Sequence, residues 1–131
     1  MALSEFIYVV ETPKNARQAL GDLWKAAVKK NWVVLGDHDF AGIVGDSNVE
    51  MKSIGICQAE LARLFIRAEP RTALCMPCNV VIHSEKGVTK LMAMKPAVML
   101  PELFDKTLKG LKLEAERVER ELIEILDAAK A

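Results

Sequence analysis

The order of strand and helix signals predicts an α+β fold in which an antiparallel sheet is covered on one face by helices. Three observations carry that expectation. Short aromatic or β-branched runs alternate with segments of helical spacing, Glu85-Lys86-Gly87 forms a hairpin turn between two such runs, and the last third of the chain repeats apolar residues in steps of four and three.

Phe6-Ile7-Tyr8-Val9-Val10 reads as the first strand. Thr12 suits an N-cap and Pro13 a first helical residue, since the missing proline N–H would be unpaired there. Ala16, Leu20, Leu23 and Ala27 follow at helical spacing, widened by Trp24 and Val28, and Asn31 ends this helix. Trp32 to Leu35 is a short strand and Gly36-Asp37 opens a turn. A run through Phe40, Ile43 and Val44 completes a hairpin, weakened by Gly42 and Gly45. After the Asp46-Ser47-Asn48 turn, Val49 to Cys57 forms a strand entering a second helix. That helix carries Leu61, Leu64 and Phe65 on one face and stops at Pro70. Thr72 to Cys75 and Asn79 to His83 read as extended, separated by Pro77, which cannot donate to a ladder and so belongs at an edge, a bulge or a strand start. Val88 to Met94 is the return strand.

Phe104, Leu108, Leu111, Ala115, Val118, Leu122, Ile125 and Ala129 make one apolar seam, with Glu114, Glu116, Arg117, Glu119, Arg120 and Glu121 on a solvated face. Gly110 divides a short helix from a longer terminal one, at about 1 kcal/mol relative to alanine. Three heptads make a short coiled coil, so the seam is expected to cover the sheet. Repeats, linkers and low-complexity stretches are lacking, so residues 1–131 are expected to form a single domain.

Composition narrows the partners. The chain has 131 residues, 51% of them hydrophobic, with 18 Lys and Arg balancing 18 Asp and Glu. Zero formal charge argues against nucleic acid, where phosphate contacts supply most of the affinity. No apolar run approaches the roughly 20 residues a membrane helix needs, and the first residues lack the charged-then-apolar pattern of a secretory signal. Three cysteines cannot close a disulfide framework, which points to reduced thiols in the cytoplasm. The apolar excess exceeds what one sheet face can hide, so a homodimer is expected. No cofactor is implied.

The most informative stretch is Ala73-Leu74-Cys75-Met76-Pro77-Cys78-Asn79-Val80-Val81-Ile82, a C-x-x-C pair directly before a β-branched run. A second is Ile54-Gly55-Ile56-Cys57-Gln58-Ala59-Glu60-Leu61-Ala62, where a strand gives way to a helix. Together they resemble the family called domain of unknown function 302, with Asp39 and Pro96 as weaker matches, over Phe6 to about Leu126. The resemblance implies a curved, TATA-binding-protein-like antiparallel sheet in the order β-α-β-β-α-β-β-α. It brings no agreed activity. The family commonly has Asn-Pro where this chain has Gln58-Ala59, and an aliphatic residue where it has Cys75.

Several chemistries fit the cysteines. Cys75 and Cys78 can be a redox pair, although such motifs usually open a helix and a strand follows here. Cys57, Cys75 and Cys78 with His38 or His83 can form a soft-metal site for zinc or copper(I), with only one short-spaced ligand pair. Cys57 or Cys78 can carry sulfur as a persulfide, with Asn79, Asn48 or His38 as donor. All three can equally be small hydrophobes of the core. Asp37-His38-Asp39, read as a polar turn, suggests acid–base chemistry in which Asp39 orients His38, against a plain solvated turn. The reading adopted is a small binding or carrier protein with a thiol-centred site. An enzyme using the Asp-His-Asp turn and a structural partner protein are the alternatives. If the helix starts at Gln58 or Ala59, Cys57 faces its unpaired amides and is expected to be the most thiolate-like. Because Cys57 and Cys78 match the family pattern and Cys75 does not, the resemblance implies that Cys57 and Cys78 meet across neighbouring strands, with Cys75 dispensable.

Overall fold

The computed structural model describes residues 2–104 and 108–131. Five strands, β1 (Ile7–Thr12), β2 (Val33–Asp39), β3 (Met51–Cys57), β4 (Cys78–Glu85) and β5 (Val88–Met94), form one antiparallel sheet in the order β1-β5-β4-β3-β2. The helices are α1 (Ala16–Lys29), α2 (Phe40–Val44), α3 (Ala59–Ala68), α4 (Pro96–Phe104) and α5 (Lys112–Lys130). Short 3₁₀ turns occupy Leu3–Glu5, Pro70–Cys75 and Lys109–Leu111. The α+β class and the antiparallel sheet match the expectation.

Strand alternation sets the two faces of the sheet. Tyr8, Ala93, Val80 and Ile54 form one rung, and Val10, Leu91 and Ile82 the next. These residues face the helices, and Ile54, Val80, Ile82 and Leu91 are completely buried. On the other face a rung of Val9, Met92, Val81, Ser53 and His38 crosses all five strands. Val9 and Met94 are there each 40% exposed.

The seam of the terminal helix is used inside the protein. Ala115, Val118, Leu122, Ile125, Leu126 and Ala129 are buried, and α5 packs on α1 and β1. Polar groups fasten the same contact. Tyr8 donates to Asp127 Oδ1 at 2.6 Å, Thr12 Oγ1 to the Lys130 carbonyl at 3.0 Å, and the Trp32 indole N–H to Glu121 Oε1 at 2.8 Å. Lys14 Nζ reaches both Asp22 and the Ala129 carbonyl.

Four local expectations are corrected, each for an identifiable reason. Helix α1 starts at Ala16, because the Asn15 side chain accepts from the Gln18 N–H at 2.8 Å while Thr12 stays in β1. No turn opens at Gly36. Gly36 takes φ +127 at an irregularity in the β2–β3 register, and the strand runs on through Asp39. The Phe40 to Val44 run is helical because Asp39 caps the Ala41 N–H at 3.1 Å and Gly45, at φ +69, closes the turn. Thr72 to Cys75 coils as 3₁₀ helix, since Glu69 accepts from the Arg71 N–H and Pro70 sits at the first position. The β4–β5 turn falls where expected, with Lys86 and Gly87 both at positive φ.

Candidate functional site

The three thiols meet at the end of the sheet where β3 stops and β4 begins. Ile56 pairs with Cys78, which places Cys57 one residue beyond that rung. Gln58, buried, is the N-cap of α3, and its Oε1 accepts from the Leu61 N–H at 2.9 Å. Cys75 closes the 3₁₀ turn whose start is held by Glu69. Arg71 Nη2 lies 2.7 Å from Glu69 Oε1 and holds that carboxyl down at about 2, while the Thr72 hydroxyl donates to the Glu69 carbonyl. Pro77 follows a cis Met76–Pro77 bond and lies against Gly55, where a Cβ would meet Pro77 Cγ at 2.7 Å. Gly55 is therefore required by close approach.

Cys57, Cys75 and Cys78 line one cavity of about 50 Å³, together with the thioethers of Met76 and Met99 and the Phe65 ring. That is room for little more than a water molecule or two. All three cysteines are free and partly buried. Burial raises the Cys57 thiol pKa. Burial, followed by the neighbouring Cys57 and Cys75 sulfurs, pushes Cys78 up to about 12. The expected thiolate at Cys57 is thus not favoured. Desolvation opposes the charge, and Gln58 occupies one of the helix-end amides, that of Leu61. Protonated thiols are weak nucleophiles and poor metal ligands, but they are polarizable walls with a weak S–H donor.

The remaining candidates lie elsewhere. His38 pairs with Ser53, four residues or about 13 Å along β3 from Cys57, and His83 pairs with Met51. Among the described residues no group of three or more His, Cys, Asp or Glu is arranged to hold a metal ion. Asp37, His38 and Asp39 are exposed residues of an edge strand rather than a turn. Alternation sends His38 to the opposite face from its neighbours, and Asp39 caps α2 and meets Lys52 Nζ at 3.4 Å. Asp39 therefore does not orient His38. Met99 and Pro96 on α4 complete the cavity wall. The sequence offered Pro96 only as a weaker family match and did not reveal the helix that places Met99 beside it, because Pro101 interrupts the helical pattern there.

The architecture defines a class, an open antiparallel sheet backed by helices with a sulfur-rich corner at one end. The family model "Domain of unknown function DUF302" matches residues 8–129, and the chain belongs to that family. No curated protein matches it. The solved "uncharacterized conserved protein DUF302 from Bacillus stearothermophilus" is similar in fold, with a TM-score of 0.85 over 95% of this chain and 98% of that one at 21% identity. Among the described residues, no helix is long and apolar enough to cross a membrane.

Proposed function

We propose that this protein is a small binding or carrier module, a single domain over residues 1–131, whose ligand is soft and apolar and contacts the Cys57-Cys75-Cys78 corner. The supporting observation is convergence. Three thiols from a strand end, a 3₁₀ turn and a strand start line one cavity whose other walls are thioether, aromatic and aliphatic. The reading treats the thiols as contacts in their protonated form, which the raised Cys57 and Cys78 pKa values support. Reduced thiols fit a cytoplasmic setting. The apolar open face of the sheet, with Val9 and Met94, supports a homodimer.

Timed alkylation with mass mapping tests the site. In native protein at pH 7, Cys57 reacts slowly and faster as pH rises, Cys78 reacts only after unfolding, and chelator changes nothing. Fast, pH-insensitive alkylation of Cys57 overturns the reading in favour of a nucleophile. Unmasking by chelator overturns it in favour of a metal centre. Light scattering at high micromolar concentration tests the dimer, and a monomer mass refutes it.

A further inference from the structure

A second, wider depression lies outside the thiol cavity, where β2 runs beside α3. It is an open depression of about 530 Å³ with an apolar lining that includes Val33, Leu35, Ile66 and Met76. Val33, Leu35 and Ile66 are 43%, 58% and 40% exposed. Cys57 and Met76 line both this groove and the inner cavity, so the two spaces share a wall.

The lining is almost wholly apolar, and the charged groups at its rim, all of one sign, belong to exposed side chains. Arg63 and Arg67 supply them, four residues apart on α3 and hence on the same side of the helix. Neither has an ion-pair partner among the described residues, and Glu69, the nearest acid C-terminal to them, is held by Arg71. Two like charges one turn apart disfavour the helix slightly, and an anion between them relieves that repulsion. The groove follows α3 from Ala59 to Arg67, about 12 Å at 1.5 Å per residue. An extended chain of roughly ten carbons spans that length.

We propose that this groove binds an amphipathic carboxylate, with its unbranched chain along Leu35 and Ile66 and its head between Arg63 and Arg67. The proposal rests on the binding-module reading and names its ligand class. Uncharged alcohols lack the head-group contact, and alkylammonium ions meet repulsion. The charge contact is exposed, so it weakens with salt, whereas the chain contact does not.

Calorimetric titration of the full chain with sodium decanoate tests this, with decanol, decyltrimethylammonium and hexanoate as controls. Decanoate binds best. Hexanoate binds at least about tenfold more weakly, from the loss of buried methylenes. Arg63→Gln and Arg67→Gln each weaken decanoate about two- to fivefold, as exposed ion pairs do, and leave decanol unchanged. Decanoate also slows Cys57 alkylation. Equal binding of decanoate and decyltrimethylammonium overturns the proposal, as does the absence of binding at millimolar decanoate. A dimer that Ile66→Ser dissociates, with no decanoate binding, overturns it too and assigns the groove to a second copy. In any of these cases, Cys57 still slow and Cys78 still masked in the native protein leave the binding-module reading standing. Fast Cys57 alkylation brings that reading down instead.

Discussion

Two regions of the covered sheet face are built on different principles. Where α1 packs on α5, the helices close over Ala19, Leu23, Ala27, Ile125 and Ala129, all completely buried, and the Tyr8–Asp127, Thr12–Lys130 and Trp32–Glu121 hydrogen bonds fasten the contact. At the β3–β4 end, α3, α4 and the 3₁₀ turn leave a small cavity walled by sulfur, and the polar contacts there serve the turn backbones. The first region is optimised for stability. The other keeps apolar, polarizable surface within reach of solvent, which is what a binding site needs and a core avoids.

The sharpest way to break this contrast is to excavate the first region. Leu23→Ala removes a completely buried side chain between α1 and α5 and is expected to lose about 2–5 kcal/mol in urea denaturation. Met99→Ala, at the partly open wall of the thiol cavity, should lose distinctly less. Equal losses would erase the distinction.

Next in size is Gly55→Ala. The new methyl meets Pro77 Cγ at 2.7 Å, so the proline must move, at an expected 1–3 kcal/mol, about the range of overpacking. Because Pro77 leads directly into Cys78, native-state alkylation of Cys78 should become measurable. A stable variant with Cys78 still masked would show that the thiol corner does not depend on this contact.

A smaller effect separates the two regions by pH. Cys78 titrates near 12 in the folded state, above the ordinary thiol range it shows unfolded. The folded protein therefore retains a proton that the unfolded chain gives up, so stability declines as pH rises from about 9 towards 12, by at most about 1.4 kcal/mol for each pH unit. The difference between wild type and Cys78→Ala in urea midpoints from pH 8 to 11 isolates this contribution. Parallel curves would mean that Cys78 is not desolvated. Glu69 works in the opposite direction. Its carboxyl is held at about 2, so its contribution is present above the ordinary carboxylate range and is lost as pH falls towards 2.

The smallest effect belongs to the edge strand. His38→Ala touches an exposed side chain away from the thiols and should change stability by less than about 0.5 kcal/mol and cysteine reactivity not at all. A change in the alkylation of Cys57 would connect the two regions after all.

Elements with strong period were legible in the sequence. The seam from Ala115 to Ala129, the strand alternation around Ile54, Val80 and Leu91, and the Lys86-Gly87 turn follow from spacing alone. The meeting of Cys57 and Cys78 across β3 and β4 was expected instead from the family resemblance, which covers both positions. What escaped was decided by single side chains competing for backbone amides. Asn15 displaced Thr12 as a cap, Asp39 turned an apolar run into α2, and Glu69 coiled the segment before Cys75. Burial decided the question of the Cys57 thiolate, and Gln58, one residue along, took the Leu61 amide for its own cap. Cys75, expected to be dispensable, lines the same cavity as the other two thiols, because the 3₁₀ turn brings it inward.

The strand order carries a consequence for the route by which the chain folds. β4 and β5 are joined by two residues, whereas β1 pairs only with β5, from the far end of the strand sequence. Loop closure disfavours that pairing until its partner is in place. The hairpin is thus expected to form early, with β1 added late as an outer stave. Pulsed hydrogen exchange during refolding should protect Val81 and Met92, which face each other within the hairpin, before Tyr8 and Val10, and simultaneous protection would refute that order.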